Sequence, residues 1–276
     1  GPAAMLAEWT RPSARAAALP PPVAAVAVRG LAKVVDFQDL AYGAEYLGRL
    51  DRVLTVDGCD HALSAEAAKY IANAMAYDDI IRVADLKTRP ARTARVRAEM
   101  GAKGDTVMAV TEYFHPRAEE IVGLLPAGMG ARWQADRRRM ATIDRIFNRG
   151  RRLRSDGLFA FAALWVIGGL RGWRRRTLRH AEETAHLDAW LARALAIAPR
   201  DYALAVEVIR ARRLIKGYSD THARGLSKFD RVMEGIALVE GRADAADWAR
   251  RLREAALQDE AGRALDGALA TIRSFV

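Results

Sequence analysis

Between Ser64 and Arg89 the apolar residues Tyr70, Ala74, Tyr77, Ile81 and Ala84 recur at steps of four, three, four and three. Only an α-helix gathers that spacing on one face, so a chain organised around this stretch must build its core from helix contacts. Asn73 and Ile80 flank the stripe. Asp78, Arg82 and Asp85 follow another ridge at i, i+4 and i+7, where Asp–Arg pairs contribute about 0.2–0.5 kcal/mol each. Ser64 is placed to cap the start and Pro90 to stop the helix. Asp78 and Asp79 are adjacent, but neighbours on a helix point about 100° apart and cannot share a proton as a dyad. The stretch therefore reads as a single helix with one packed face and one solvated charged ridge.

The rest of the chain repeats the helical signature. Residues 3–22 are rich in Ala and Pro and end in Pro20-Pro21-Pro22, which predicts an extended linker behind a tag remnant, Gly1-Pro2. Val23 to Val56 predicts one long helix or two in line, with Phe37, Leu40, Ala44, Leu47, Leu50 and Leu54 as its stripe and Asp57-Gly58 at its end. Thr88 to Lys103 is basic and helical past Pro90. Val107 to Phe114 alone has strand composition. Arg117 to Leu125 suits a short helix, and Pro126-Ala127-Gly128 a loop. Residues 101–131 are the connector whose form is left open. Trp133 to Arg154 predicts a strongly basic helix with Met140, Ile143, Ile146, Phe147 and Leu153 as apolar positions and Arg137, Arg138, Arg139, Arg149, Arg151, Arg152 and Arg154 on its polar side. Thr177–Ala198, Asp201–Ile215, Leu226–Val239 and Asp244–Phe275 complete the set. The predicted class is all-α with little or no sheet, as one domain over 23–276.

Leu158–Leu170 is the longest apolar run, thirteen residues. That is short of the roughly 20 needed to span a bilayer. An apolar run followed at once by a basic cluster can mark a membrane-surface segment. The preferred reading is a buried core helix ended by Gly168 and Gly169.

Charge and cysteine content bound the chemistry. The net charge is +10, from 44 basic and 34 acidic residues, and only six of the basic ones are lysine. Such a balance favours nucleic acid, acidic proteins or anionic ligands as partners. Cys59 is the single cysteine. One thiol permits no intrachain disulfide and no thiolate set for zinc or an iron–sulfur cluster. A free thiol without a signal peptide predicts a cytoplasmic protein.

No catalytic, metal or cofactor motif stands out. Gly128-Met129-Gly130 lacks the third glycine and the preceding strand of a dinucleotide fingerprint. His180 with Glu183, and Glu182 with His186, have the spacing of half a metal site, but no second helix offers the matching ligands. They read instead as surface hydrogen-bonding or ion-pairing groups. Arg171–Arg179, RGWRRRTLR, interleaves arginine with Trp173, a composition suited to an anionic partner. Arg171, Trp173, Arg174 and Arg175 are the candidate docking residues. The bland reading is a solvated basic turn between helices.

Three separated stretches carry a family resemblance: Val35-Asp36-Phe37-Gln38-Asp39-Leu40-Ala41-Tyr42 on to Tyr46, Met75-Ala76-Tyr77-Asp78-Asp79 through Val83-Ala84-Asp85-Leu86, and Ala205-Val206-Glu207 with Ile215-Lys216-Gly217-Tyr218. Their order and spacing, with the Gly169-Leu170-Arg171-Gly172 turn, resemble the C-terminal helical region of indolepyruvate:ferredoxin oxidoreductases, including the beta-subunit type. The resemblance covers residues 23–235. The chain departs from the pattern at Asp78, where the family carries lysine, and at Ile80-Ile81, where it carries a more acidic run.

The resemblance implies a helical accessory domain without catalytic residues of its own. The parent reaction would be thiamine-diphosphate-dependent oxidative decarboxylation of an aryl 2-oxoacid, with electrons leaving through iron–sulfur clusters to ferredoxin and the acyl group passing to coenzyme A. Those cofactors would sit in the catalytic part, joined through the segment 19–22. The partners implied are the catalytic domains or subunits and, as a further partner, ferredoxin. This reading predicts exposed apolar patches where the partners would dock. The alternative is a stand-alone basic helical module for nucleic acid or a phosphate-rich ligand, with its arginines on one face and binding that falls steeply with salt.

Overall fold

Helices account for most of the described residues of the computed structural model, and the fold is all-α. The described residues are 3–58, 60–103, 106, 110–114, 116–148, 151–154, 157–217, 220–258 and 260–276. Gly1-Pro2, Cys59, Val107-Met108-Ala109, His115, Arg149 and Tyr218, singled out above, lie outside the described residues. The single domain expected over 23–276 is instead two compact units, Gly1–Tyr77 with Thr184–Val276, and Asp78–Glu183.

The first unit holds α1 (Ala3–Ala17), α2 (Pro21–Phe37), α3 (Leu40–Leu54) and α4 (Ala62–Met75). The expected linker is thus mostly helix, with Ala16 fully buried against the core. The prolines do not extend the chain. Pro20 caps α2 and Pro21 and Pro22 occupy its first turn, where a fixed φ suits the helix and a missing amide costs nothing. Residues 23–56 do not form two helices in line. Asp39 accepts the Tyr42 N–H at 2.7 Å, starting α3, which folds back along α2. At Gly43 a side chain would collide with Val35 and Leu31. Tyr46 fills the space left by Gly30, and its buried hydroxyl donates to the Ala68 carbonyl at 2.8 Å.

The chain returns to this unit from Thr184, within the helix α11 that begins at Leu178 and ends at Ile197. It continues with α12 (Tyr202–Ala211), α13 (Asp220–Val239), α14 (Ala245–Gln258) and α15 (Arg263–Arg273). The expected helix 244–275 is broken at Gly262, whose φ of +77° only glycine adopts freely. The large hydrophobic core lies entirely in this unit and includes Leu31, Leu50, Ile71, Leu191, Ile209 and Ile236. Trp190 donates to the Val208 carbonyl at 2.8 Å, satisfying its indole inside the core.

The second unit begins where the expected single helix Ser64–Arg89 is cut in two. Ala76 leaves helical geometry and Asp79 is extended. The Asp79 carboxylate accepts the Arg82 N–H at 2.5 Å and starts α5 (Ile80–Thr88). Ser64 is no cap. It sits inside α4, and its N–H donates to the Asp57 carboxylate at 2.9 Å. The expected apolar positions are all buried, but Tyr70 and Ala74 lie on α4, Ile81 and Ala84 on α5, and Tyr77 in the segment between them.

Pro90 opens the next helix, α6 (Pro90–Glu99). Then come β1 (Thr111–Phe114), α7 (Ala118–Val122) and α8 (Ala127–Gln134). The loop expected at 126–128 is the start of α8, capped by Pro126. The basic helix expected over Trp133–Arg154 is divided. Asp136 accepts the N–H groups of Arg138 and Arg139 at 3.0 and 3.2 Å and starts α9 (Arg137–Phe147). β2 (Arg151–Arg154) pairs antiparallel with β1, Thr111 opposite Arg154 and Phe114 opposite Arg151. The unit closes with α10 (Leu158–Gly169), a 3-10 segment Leu170–Arg176 and the first residues of α11.

Candidate functional site

The helix α10 contains no polar side chain, so no face of it suits water. It packs along α5, and Gly168 makes that approach close. A Cβ there would lie 3.1 Å from both Cα and N of Asp85. Asp85 is held in turn by Arg82 at 3.1 Å and by Arg89 at 2.5 Å. Two members of the charged ridge expected on the central helix therefore pair beside the helix crossing.

Burial stops at that crossing, which overturns the expectation of a buried core helix. Leu164 is the one buried residue of α10. Leu158 is 78 % exposed, Phe159 89 % and Trp165 66 %, and Phe161 and Val166 are exposed as well. The same unit holds α6 and α9, neither of which buries a residue. Along α9, Ile146 is exposed, while Met140, Ile143 and Phe147 are half-buried. The exposed aromatic and aliphatic side chains of α10 are more than a scatter of single surface residues.

The basic segment after α10 divides into separate roles. Arg174 is 1 % exposed and is no docking residue. Its guanidinium meets the Asp79 carboxylate, Nε to Oδ2 at 2.8 Å and the second contact at 3.4 Å. Asp79 thus both caps α5 and neutralises a buried arginine 95 residues later. Trp173 is partly exposed and donates to the Leu124 carbonyl at 3.2 Å, with the Arg176 guanidinium 5.5 Å from its ring centre. Arg171 is half-buried. Arg175 and Arg176 are exposed beside the end of α10. Thr177 accepts the His180 N–H at 3.2 Å and starts α11, and the Leu178 and Arg179 N–H groups donate to Leu125 and Gly123 carbonyls. Of the four expected docking residues, Trp173 and Arg175 remain at the surface, Arg171 partly so, and Arg174 is structural.

The half metal site does not form a surface pair. His180 and Glu183 are both buried, and Glu183 accepts Arg179 at 2.7 Å. Among the described residues no group of three His, Cys, Asp or Glu side chains is placed to hold a metal ion. Gly130 of the G-x-G run serves packing, since a Cβ there would lie 2.8 Å from the Leu178 side chain. No helix among the described residues is long and apolar enough to cross a membrane.

These features define an all-α protein of two helical units, one with a self-contained core and one with an apolar helix largely in water. Residues 23–235 match the family described as "Family of unknown function (DUF6537)", and the chain belongs to that family. No curated protein and no solved structure matches it.

Proposed function

We propose that the chain is a non-catalytic helical accessory domain of a 2-oxoacid:ferredoxin oxidoreductase of the indolepyruvate type, and that α10 docks it onto the catalytic part. The observation that carries this reading is the exposure of Leu158, Phe159, Phe161, Trp165 and Val166 on one short helix beside the exposed Arg175 and Arg176. An apolar centre with a charged rim is the composition of a stable protein interface. The three resembling stretches supply the identity of the partner. The arginines at the rim suit an acidic edge on the catalytic chain or on ferredoxin, through salt-sensitive steering. Thiamine diphosphate, iron–sulfur clusters and coenzyme A belong to the catalytic part on this reading, since one cysteine offers no thiolate set for a cluster.

The test is affinity capture of the full chain from its source cells at low and at moderate salt, beside a Phe159→Ser/Trp165→Ser variant. Both side chains are exposed, so the variant is expected to fold. The expected result is recovery of a thiamine-dependent 2-oxoacid oxidoreductase subunit by the native chain and its loss from the variant. Recovery of nucleic acid alone, lost as salt rises, overturns the reading in favour of the basic binding module. Recovery of the oxidoreductase by both proteins overturns the role of α10.

A further inference from the structure

A second feature lies wholly within the first unit, where it is independent of α10. The start of α13, the segment 214–216 and the end of α14 enclose a cleft of about 200 Å3. Thr221, Arg224 and Lys228 line it from one face of α13, at i, i+3 and i+7. Lys216 also lines it, and Glu260 is the one acid among the described lining residues. Gly225 makes the approach of the walls possible, because a Cβ there would lie 2.6 Å from the Leu214 carbonyl oxygen.

Folding alone gives no reason for this charge arrangement. Arg224 and Lys228 are like charges four residues apart, which disfavours a helix. Elsewhere in this unit arginines find carboxylates, as Arg49 does with Asp188, Arg200 with Glu240 and Arg253 with Glu207. Lys228 donates to the Ala256 carbonyl at 3.0 Å, near the end of α14. Lys216 and Arg224 have no hydrogen-bonding or ion-pairing partner among the described residues. Two cations with no partner among the described residues and a hydroxyl thus line one concavity. A local electrostatic conflict of this kind is expected at functional sites.

We propose that this cleft is a binding site for a small phosphate-bearing anion, held by Lys216, Arg224 and the Thr221 hydroxyl, with Lys228 adding positive potential. Pockets for drug-sized ligands run to about 300–1,000 Å3, so this smaller cleft fits a phosphate or pyrophosphate group and not a whole nucleotide. Paired cations around a phosphate give charge-assisted hydrogen bonds, with the arginine fork able to hold two oxygens at once.

The test is calorimetric titration of the full chain with sodium pyrophosphate at low ionic strength. The same titration is made on the Lys216→Gln/Arg224→Gln variant and on Arg250→Gln, which removes an exposed α14 arginine paired with Asp247. The expected result is one saturable site in the native chain and in Arg250→Gln, weakened at least tenfold in the double variant. The double variant should also melt no lower than the native chain, because it relieves like-charge repulsion. Absence of saturable binding, equal loss in Arg250→Gln, or full binding by the double variant overturns the proposal. A lower melting temperature in the double variant assigns the two cations a structural role and overturns it as well. Displacement of pyrophosphate by a 5′-phosphorylated oligonucleotide at lower concentration than by inorganic phosphate would replace the small ligand with a polynucleotide and overturn the assignment.

Discussion

Removing the Asp79 side chain should unfold the α5–α10 region locally while leaving the first unit intact. Two losses combine in Asp79→Ala. The cap on the Arg82 N–H disappears, at about 0.5–2 kcal/mol. The Arg174 guanidinium, 1 % exposed, is left buried without this carboxylate, and breaking a buried pair costs about 3–5 kcal/mol. The sum, about 3.5–7 kcal/mol, approaches the whole stability of a small domain. Asp79→Asn should cost about 1 kcal/mol less, since asparagine caps as well as aspartate. Arg174→Met alone strands the carboxylate at a similar cost. Asp79→Asn/Arg174→Met should be milder than the sum of its parts, because an apolar replacement of a buried pair is often neutral. Native-state hydrogen exchange followed in peptides from α5 and from residues 170–182 reads the effect, because local opening precedes global unfolding. A loss of 4 kcal/mol lowers protection there by about a thousandfold. A drop below tenfold in Asp79→Ala, or strict additivity in the double variant, would refute the assignment of Asp79 to both roles.

Two further outcomes follow from the same geometry. Gly168→Ala should force α10 away from the Asp85 backbone at a cost of about 1–3 kcal/mol, the range for overpacking, whereas Gly169→Ala meets nothing within 4 Å and should be neutral or slightly stabilising. Equal exchange rates in α5 for the two variants would contradict the close crossing. In the first unit the Tyr202 hydroxyl lies 2.7 Å from both Asp57 and Asp60, and its hydrogen bond holds the Asp60 carboxyl below the usual range, with the Ala62 N–H assisting. A carboxyl depressed in the folded state contributes stability above its unfolded pKa and loses it as pH falls through the folded value. Tyr202→Phe should therefore move the Asp60 titration, followed by carboxyl NMR, upward toward the ordinary carboxylate range and reduce the acid dependence of unfolding. An unmoved titration would show that the hydroxyl does not hold Asp60.

Helix identity was largely legible because periodicity reports which side of a segment is apolar. Tyr70, Ala74, Tyr77, Ile81 and Ala84 are all buried as their spacing requires. The break between α4 and α5 was not legible, since Asp79 fits a helical surface and an N-cap equally well, and only the extended backbone chooses. The arginines of RGWRRRTLR are chemically alike in sequence. Arg174 is singled out by a carboxylate 95 residues away, a distance that no local pattern encodes. The burial of α10 was illegible for a different reason. An apolar run reads the same whether its own chain or another covers it. The absence of any polar position in Leu158–Gly169 did hold a signal, because such a helix needs neighbours on every side.

The basic balance of the chain takes a narrower meaning from these contacts. Several arginines of the first unit tie helices together. Arg49 reaches Asp188 from α3 to α11, Arg210 holds Glu66 and Glu207, and Arg253 reaches the same buried Glu207 from α14. Such pairs are long enough to bridge helix surfaces, and the planar fork suits a carboxylate better than lysine does. Exposed cations stand beside the end of α10, at Arg175 and Arg176, and in the α13 cleft, at Lys216 and Arg224. The first accompanies apolar surface and suits a protein. The second surrounds a small concavity and suits an anion. A module for extended nucleic acid would need a continuous basic track with stacking aromatics, and the ion pairs of Arg49, Arg210 and Arg253 remove those three arginines from any such track in the first unit.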